Sequence, residues 1–478
     1  MCPVTPDEGL SRPPARVVQA NRRQQLPSWR REALRTTFWL IPTILIVVAA
    51  LLFVATFEID LAAYHRRFTL PSWIREGGAD AGRQILIAIA AAVITVVGVV
   101  FSITILALTL ASQQFGPRMM RNFIRDLGNQ VTLGVFVSTF VYSVLALGSI
   151  GSDAHGQFVP HLSIAIAEAL LLVDLLILVY FIHHIAKSIQ LPEVIAGIAR
   201  DLLRAIDAEF PENGPETRAA GTVGSGRSVS ELLQLIDDRG EVIPAGSSGY
   251  LQFVGYAQLV DIAVRMDAVI RLNHRPGHFL VAGRPLAMVW PRGAAQQVAL
   301  SLSQAHVTGP HRTLMQDPVF AIDQLVEIAI RALSPAVNDT FTALTCIDWL
   351  SAGLTRVSGR TLSEGVYRDG SGRVRLIESD PSYARMVNRS FDKIRQAARG
   401  MPAVIIRMLD ALTAVVEQTT SWEQRKILAR QAKMIFESSE DSVPESNDRE
   451  DIGVRYRRFL ASAALDEGHD EIAVESLP

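Results

Sequence analysis

The chain has 478 residues, 49% of them apolar and 20% charged, with a formal net charge of -2 at pH 7. Its positive mean hydropathy is too high for a wholly water-facing chain and too low for a wholly embedded one, so a membrane part and a water-facing part are expected. Chain-wide disorder, a collagen-like repeat and a disulfide scaffold are excluded, and so is a nucleic-acid binder, whose basic footprint would be stronger and clustered.

The net charge hides a split. Residues 438–478 hold 11 Asp/Glu and 4 Arg, while the remainder carries 42 basic and 37 acidic residues. The two cysteines, Cys2 and Cys346, offer no disulfide framework, zinc ligand set or CxxC motif, and no metal or cofactor is expected.

Residues 1–35 form a basic tail with seven Arg. Three uncharged runs follow, at 36–57, 84–117 and 127–152, and a fourth apolar stretch at 162–182 contains Glu168 and Asp174. Crossing the hydrocarbon takes about 20 predominantly apolar residues. The sequence therefore predicts a transmembrane domain over 36–186 with spans at 36–57, 84–112, 129–150 and 162–182. The first run begins too late and is too long for a cleavable signal peptide. Basic residues crowd the tail, the connector after the second span and the segment after the fourth, and none lies between the third and fourth. Positive residues stay inside, so a multi-pass inner-membrane protein with both termini cytoplasmic is expected. The loop at 58–83, with Arg66, Arg67, Arg75 and Arg83, is the mixed one.

Along the second span Thr95, Gly98, Ser102, Thr109 and Ser112, with Ile105 between, recur at spacings of three and four. Small and hydroxylated residues on one face serve close helix packing in lipid, within one chain or between copies; a water-facing pore wall is the alternative. Glu168 and Asp174 lie six residues apart, about 120° around a helix, so they make no tight dyad. Intramembrane carboxylates are costly and point to function by default, against a structural role in bonding a neighbouring helix. His183 and His184 end the same helix and cannot form an i, i+4 metal pair. Arg118, Arg121 and Arg125 share one face of a short connector, suited to an anionic leaflet or serving only as an orientation signal.

From residue 187 to 437 an α+β domain is expected, and the acidic end at 438–478 reads as disordered apart from a short helix near Val454–Leu465. Residues 211–230 read as a Gly/Ser-rich linker. Short strands around one helix over 240–291 predict a small curled sheet or barrel. Asp317 is placed to N-cap a helix with Pro318 at its first position. Ser334-Pro335 stops that helix, and Asn338 or Asp339 caps the next, making a helical hairpin over 317–356. Residues 362–378 read as a β-hairpin turning at Asp369-Gly370-Ser371-Gly372, and 383–398, 402–417 and 422–437 as helices.

Three motifs carry a family resemblance. The first is Ser112-Gln113-Gln114-Phe115-Gly116-Pro117-Arg118, followed by Phe123, Asp126, Leu133-Gly134 and Tyr142. The second is Phe181-Ile182-His183-His184-Ile185-Ala186 with Ser188-Ile189. The third is Asp317-Pro318-x-Phe320 leading to Ala332-Leu333-Ser334-Pro335-Ala336-Val337-Asn338-Asp339. With the Arg275-Pro276-Gly277 turn, where His278 replaces an acidic residue of the pattern, the chain resembles the bacterial membrane proteins of Domain of Unknown Function 2254 over about 30–435. The resemblance implies four spans and a cytoplasmic region, and it brings no activity, cofactor or catalytic residue.

Two functional readings stand side by side. One is a homo-oligomeric ion channel or transport-like protein regulated by its cytoplasmic domain, its ion or small ligand unnamed by the sequence. The other is a membrane-anchored sensor or scaffold whose cytoplasmic domain binds a ligand or protein. No Ser/His/Asp arrangement, HExxH, phosphate loop or paired-carboxylate motif points to an enzyme.

Overall fold

The structure, a computed structural model, describes residues 16–17, 39–65, 71, 78–115, 126–153, 156–210, 227–360, 365–378 and 383–464. It divides into a membrane unit, residues 23–194, and an α+β unit, residues 1–22 with 195–478. The first described element, β1 (Arg16–Val17), belongs to the α+β unit.

The membrane unit holds four helices long and apolar enough to cross a membrane: α1 (Leu40–Tyr64), α2 (Ala79–Phe115), α3 (Leu127–Ser149) and α4 (His161–Ser188). The hairpin of β2 (Gly151–Asp153) and β3 (Gly156–Phe158) joins α3 to α4. Each helix overlaps an expected span, and α2 begins five residues before its uncharged run because Arg83 has a place in it. Its Nη2 donates to the carbonyl of Ile150, the C-cap of α3, at 3.3 Å. A cation at a helix C-terminus is favourable, which accounts for one basic residue of the mixed loop.

Helix α3 is the centre of the bundle and packs against α1, α2 and α4. At Gly134 the backbones of α1 and α3 approach closely: a Cβ there would lie 3.1 Å from the Pro42 Cα and 2.6 Å from Leu45 Cδ1. Leu86, Val93 and Val100 of α2, Phe136 and Tyr142 of α3 and Phe181 of α4 fill the interior. Carboxylates fix the ends. Asp60 near the end of α1 accepts from the backbone N–H of Leu162 (2.8 Å) and Ser163 (2.9 Å), the first turn of α4. Those amides have no partner within their own helix. Asp126 does the same for α3 through the N–H of Gly128 and Asn129.

The α+β unit opens with α5 (Leu191–Glu209) and α6 (Val229–Arg239), the latter closed by a Ser228/Glu231 capping box. Then follow β4 (Glu241–Pro244), β5 (Gly249–Val254), α7 (Tyr256–Arg265), β6 (Val269–Leu272), β7 (Phe279–Leu280), β8 (Pro285–Trp290), α8 (Ala295–Ala305) and β9 (His306–Gly309). The hairpin helices α9 (Pro318–Ala332) and α10 (Thr340–Ser358) come next, then β10 (Val366–Arg368) and β11 (Val374–Glu378). Helices α11 (Tyr383–Ala397), α12 (Pro402–Glu417), α13 (Trp422–Glu440) and α14 (Ser446–Ala464) complete the unit.

The expected small sheet is two sheets. A mixed one runs β1-β10-β11-β6-β8-β4, and a second runs β7-β5-β9. The hairpin β10–β11 was legible, but its parallel pairing with β6, Leu376 opposite Ile270, joins segments about a hundred residues apart and leaves no local signal. In the acidic end the helix expected near Val454–Leu465 is longer, beginning at Ser446. Ile452, Tyr456 and Phe459 recur at helical spacing, Ile452 and Phe459 are fully buried, and Tyr456 stacks on Phe436 at 4.5 Å. That stripe outweighs the acidic composition, and α14 packs against α12 and α13. Residues 465–478 lie outside the described residues.

Gly134→Leu should lower the thermal stability of the detergent-solubilised protein by about 1–3 kcal/mol, since the Pro42 backbone cannot yield. An unchanged melting curve would show that α1 and α3 do not meet there.

Candidate functional site

The hydroxylated face of α2 points outward from the four-helix unit. Thr95, Gly98, Ser102 and Thr109 are exposed, and nothing lies within 4 Å of a Cβ built on Gly98. The hydroxyls are satisfied by their own helix: Thr95 donates to the Ala91 carbonyl at 2.7 Å, Ser102 to Gly98 at 2.8 Å and Thr109 to Ile105 at 2.9 Å. Of Ser112 only its place in α2 is described. Gly116, Pro117, Arg118, Arg121 and Arg125 lie outside the described residues.

The two carboxylates of α4 part as their spacing requires. Glu168 faces outward and Asp174 inward, only 2% exposed. Asp174 sits at the middle of α4, and Thr139, at the middle of α3, donates to its Oδ1 at 3.2 Å. Its Oδ2 has no hydrogen-bond partner among the described residues. On the same inward side of α3 lie Asn129, Thr132 and Ser143, all buried, and each also keeps a side-chain oxygen without a partner. Asn129, Thr132, Thr139 and Ser143 follow helical spacing, so α3 carries an inward polar stripe that faces Asp174. This stripe was the signal the sequence reading missed; the spacing was visible, but which face turns inward was not.

A second polar cluster ties one end of the bundle. Tyr142 and Thr56 share a hydrogen bond of 2.9 Å, and Ser163 donates to Asp60 at 2.8 Å and to Thr56 at 3.2 Å. At the other end the first two motifs meet. His184 Nε2 lies 2.9 Å from Oδ1 of Asp126, and Tyr180 stacks on the imidazole. His183 is exposed. The histidine pair therefore splits, one residue holding α4 to the N-terminus of α3 and the other facing out.

In the α+β unit the third motif divides too. Its latter half is the turn between α9 and α10. Asn338 adopts a left-handed backbone, φ 48°, Ser334 donates to the Arg331 carbonyl, and Pro335 is exposed. Asp339, not Asn338, caps α10 by accepting from the Thr342 N–H at 3.1 Å. Asp317 holds the N-cap position of α9 but makes no side-chain cap bond, contrary to expectation. Its carboxylate accepts from Arg312 Nε at 2.8 Å, and Arg312 also reaches Asp323 at 2.5 Å. A Cβ on Gly277 would collide with Asp317 Oδ2 at 2.1 Å, so the Arg275-Pro276-Gly277 turn needs glycine to rest on this carboxylate.

The turn and Asp317 open onto a small cleft of about 40 Å³, lined by Arg275, Asp317 and Arg385 together with Glu209, Tyr256 and Glu378. Arg360 donates to the Phe210 carbonyl and to Asp207, fixing the end of α5 that presents Glu209. Tyr256 donates to Glu378 at 2.6 Å and stacks on Tyr367. Arg385 Nη1 donates to His278 Nε2 at 2.8 Å, so His278 is the neutral acceptor. Burial, then the charges of Arg275, Arg385, His274 and Arg312, push the His278 imidazole down to about 4. Arg385 is itself lowered, first by burial and then by Arg275 and Arg389. Among the described residues no group of three or more His, Cys, Asp or Glu is placed to hold a metal ion.

The sign of the pH dependence follows. Unfolded, His278 takes up a proton near its ordinary 6.5; folded, it resists until about 4. Stability contributed by the neutral imidazole is present above the higher value and is lost as pH falls towards the lower one. His278→Gln, which keeps an acceptor, should flatten that part of the acid loss in a melting series. Parallel curves for variant and wild type would contradict the assignment.

Comparison with known proteins agrees with this architecture. The family described as Predicted membrane protein (DUF2254) matches residues 35–414. An uncharacterized protein of Mycobacterium bovis is 32% identical over 381 residues, covering 78% of this chain and 71% of its own length. An uncharacterized protein of Mycobacterium tuberculosis H37Rv matches with the same identity and coverage. No solved structure matches the chain. With the match spanning all four apolar helices and most of the α+β unit, the chain belongs to the DUF2254 family of membrane proteins.

Proposed function

We propose that the protein is a homo-oligomeric channel or transport-like protein of the bacterial inner membrane, with both termini and the α+β unit in the cytoplasm. The observation that carries this reading is Asp174. A carboxylate at the middle of a span, with one oxygen unpaired beside an inward line of unpaired Asn129, Thr132 and Ser143 oxygens, is expensive unless water or an ion visits it. An intramembrane carboxylate with an unpaired oxygen favours a cation or proton. The path runs between α3 and α4, and the outward face of α2 meets other copies. Gly98, flanked by Thr95 and Ser102, leaves the flat surface that close helix approach in lipid uses. Outward Glu168 supports the same assembly, because an exposed carboxylate on a span is costly in hydrocarbon and is relieved at an interface between copies. No catalytic step is assigned.

The arginine-lined cleft favours a second reading, a membrane-anchored sensor whose cytoplasmic unit binds a ligand. The two readings join if the ligand sets the state of the path.

Flux through the purified protein in liposomes separates them. Asp174→Asn should cut cation or proton flux at least about tenfold while the protein still inserts. Ser102→Leu and Glu168→Gln should shift the oligomer distribution. Flux that is equal in wild type and Asp174→Asn would remove Asp174 from any path. Absence of flux across pH, voltage and membrane tension would leave the sensor reading.

A further inference from the structure

Arg385 stands apart from the other arginines of the cleft region. Arg312 is clamped by Asp317 and Asp323, and Arg389 donates to Asp323 at 2.7 Å. Arg385 has only the neutral His278, with no carboxylate in ion-pair distance among the described residues. It is half-buried, it lines the cleft, and Arg275 lines it too. Asp317 acts on it through space but forms no direct ion pair with it, since that carboxylate is held by Arg312 and lies against Gly277. Of the other acids that line the cleft, Glu378 accepts from Tyr256 and Tyr367.

A partly desolvated guanidinium whose nearby carboxylate, Asp317, is already hydrogen-bonded to Arg312 is costly, and its planar fork matches the oxygens of a phosphate. Phe210, Pro276, Val319 and Met386 complete the lining with Gln316 and Pro318, and the small volume takes the anionic group alone, with the body of the ligand outside. We propose that this cleft binds the phosphate group of a small soluble molecule, with Arg385 as its main ligand and Arg275 beside it. His278 is a neutral acceptor, so its hydrogen bond leaves the charge of the guanidinium uncompensated. This site stands independently of any path through the membrane unit.

The test uses the full chain in nanodiscs of a zwitterionic lipid, with inorganic phosphate as probe and chloride holding ionic strength constant. Binding is read both from the melting temperature and from broadening of the phosphate phosphorus resonance. Wild type should show saturable binding below about 10 mM, and the melting temperature should rise with phosphate as mass action requires. Arg385→Gln should weaken the affinity by about tenfold or more, and Arg385→Lys by less, because it keeps the charge and loses the fork. Arg407→Gln, which removes an exposed arginine paired with Asp348, should match wild type. Arg275→Gln gives a second reading of the site if Arg385→Gln does not fold, and it too should weaken binding. No saturable binding to wild type, or equal affinity in wild type and in a folded Arg385 or Arg275 variant, would overturn the proposal.

Discussion

The interaction on which the rest of the membrane unit depends is the capping of helix starts by carboxylates that also tie one helix to another. In lipid, backbone groups find no water, so the unpaired amides at a helix start must be met from within the protein. Asp60 of α1 meets those of α4. Asp126 meets those of α3 and, through His184, draws in the far end of α4. These contacts fix α3 as the central helix, with Gly134 allowing α1 to lie against it. Once α3 is central, its polar residues must point into protein, and α2 is left with its small-residue face outside.

This arrangement gives the three motifs distinct physical meanings. The first two are one device, since Asp126 and His184 touch. The third is two devices. Its Ser334–Asp339 half is a turn, and its Asp317 half is the floor on which the Arg275-Pro276-Gly277 loop sits. The chemistry of the α+β unit gathers where that loop rests, because locking Arg312 onto Asp317 and Asp323 leaves Arg385 to face the cleft with His278.

Much of the fold was legible in the sequence because its signals are local. Apolar runs located the four helices, turn residues located the 366–378 hairpin, and Pro318 located the start of α9. What was not legible is what depends on partners far along the chain. Asp317 at an N-cap position reads as a cap, and only tertiary structure shows Arg312 taking it instead. The Thr95–Ser112 stripe was visible through its small residues. The Asn129–Ser143 stripe was equally periodic, but periodicity does not say which face of a span turns to lipid. In the acidic end a short helix near Val454–Leu465 is legible, while its start at Ser446 depends on the packing of Ile452, Tyr456 and Phe459 against distant helices.

The most direct measurement is the reactivity of single cysteines with a charged, water-soluble thiol reagent, in a chain whose Cys2 and Cys346 have been replaced. Ser143→Cys lies on the inward polar stripe, wholly buried, and Leu172→Cys lies on the outward apolar face of α4. Water along the α3–α4 path predicts that the cysteine at 143 is labelled, that Asp174→Asn changes its rate, and that the cysteine at 172 is not. A cysteine at 143 that stays unlabelled under every condition in which the protein remains folded would contradict the account.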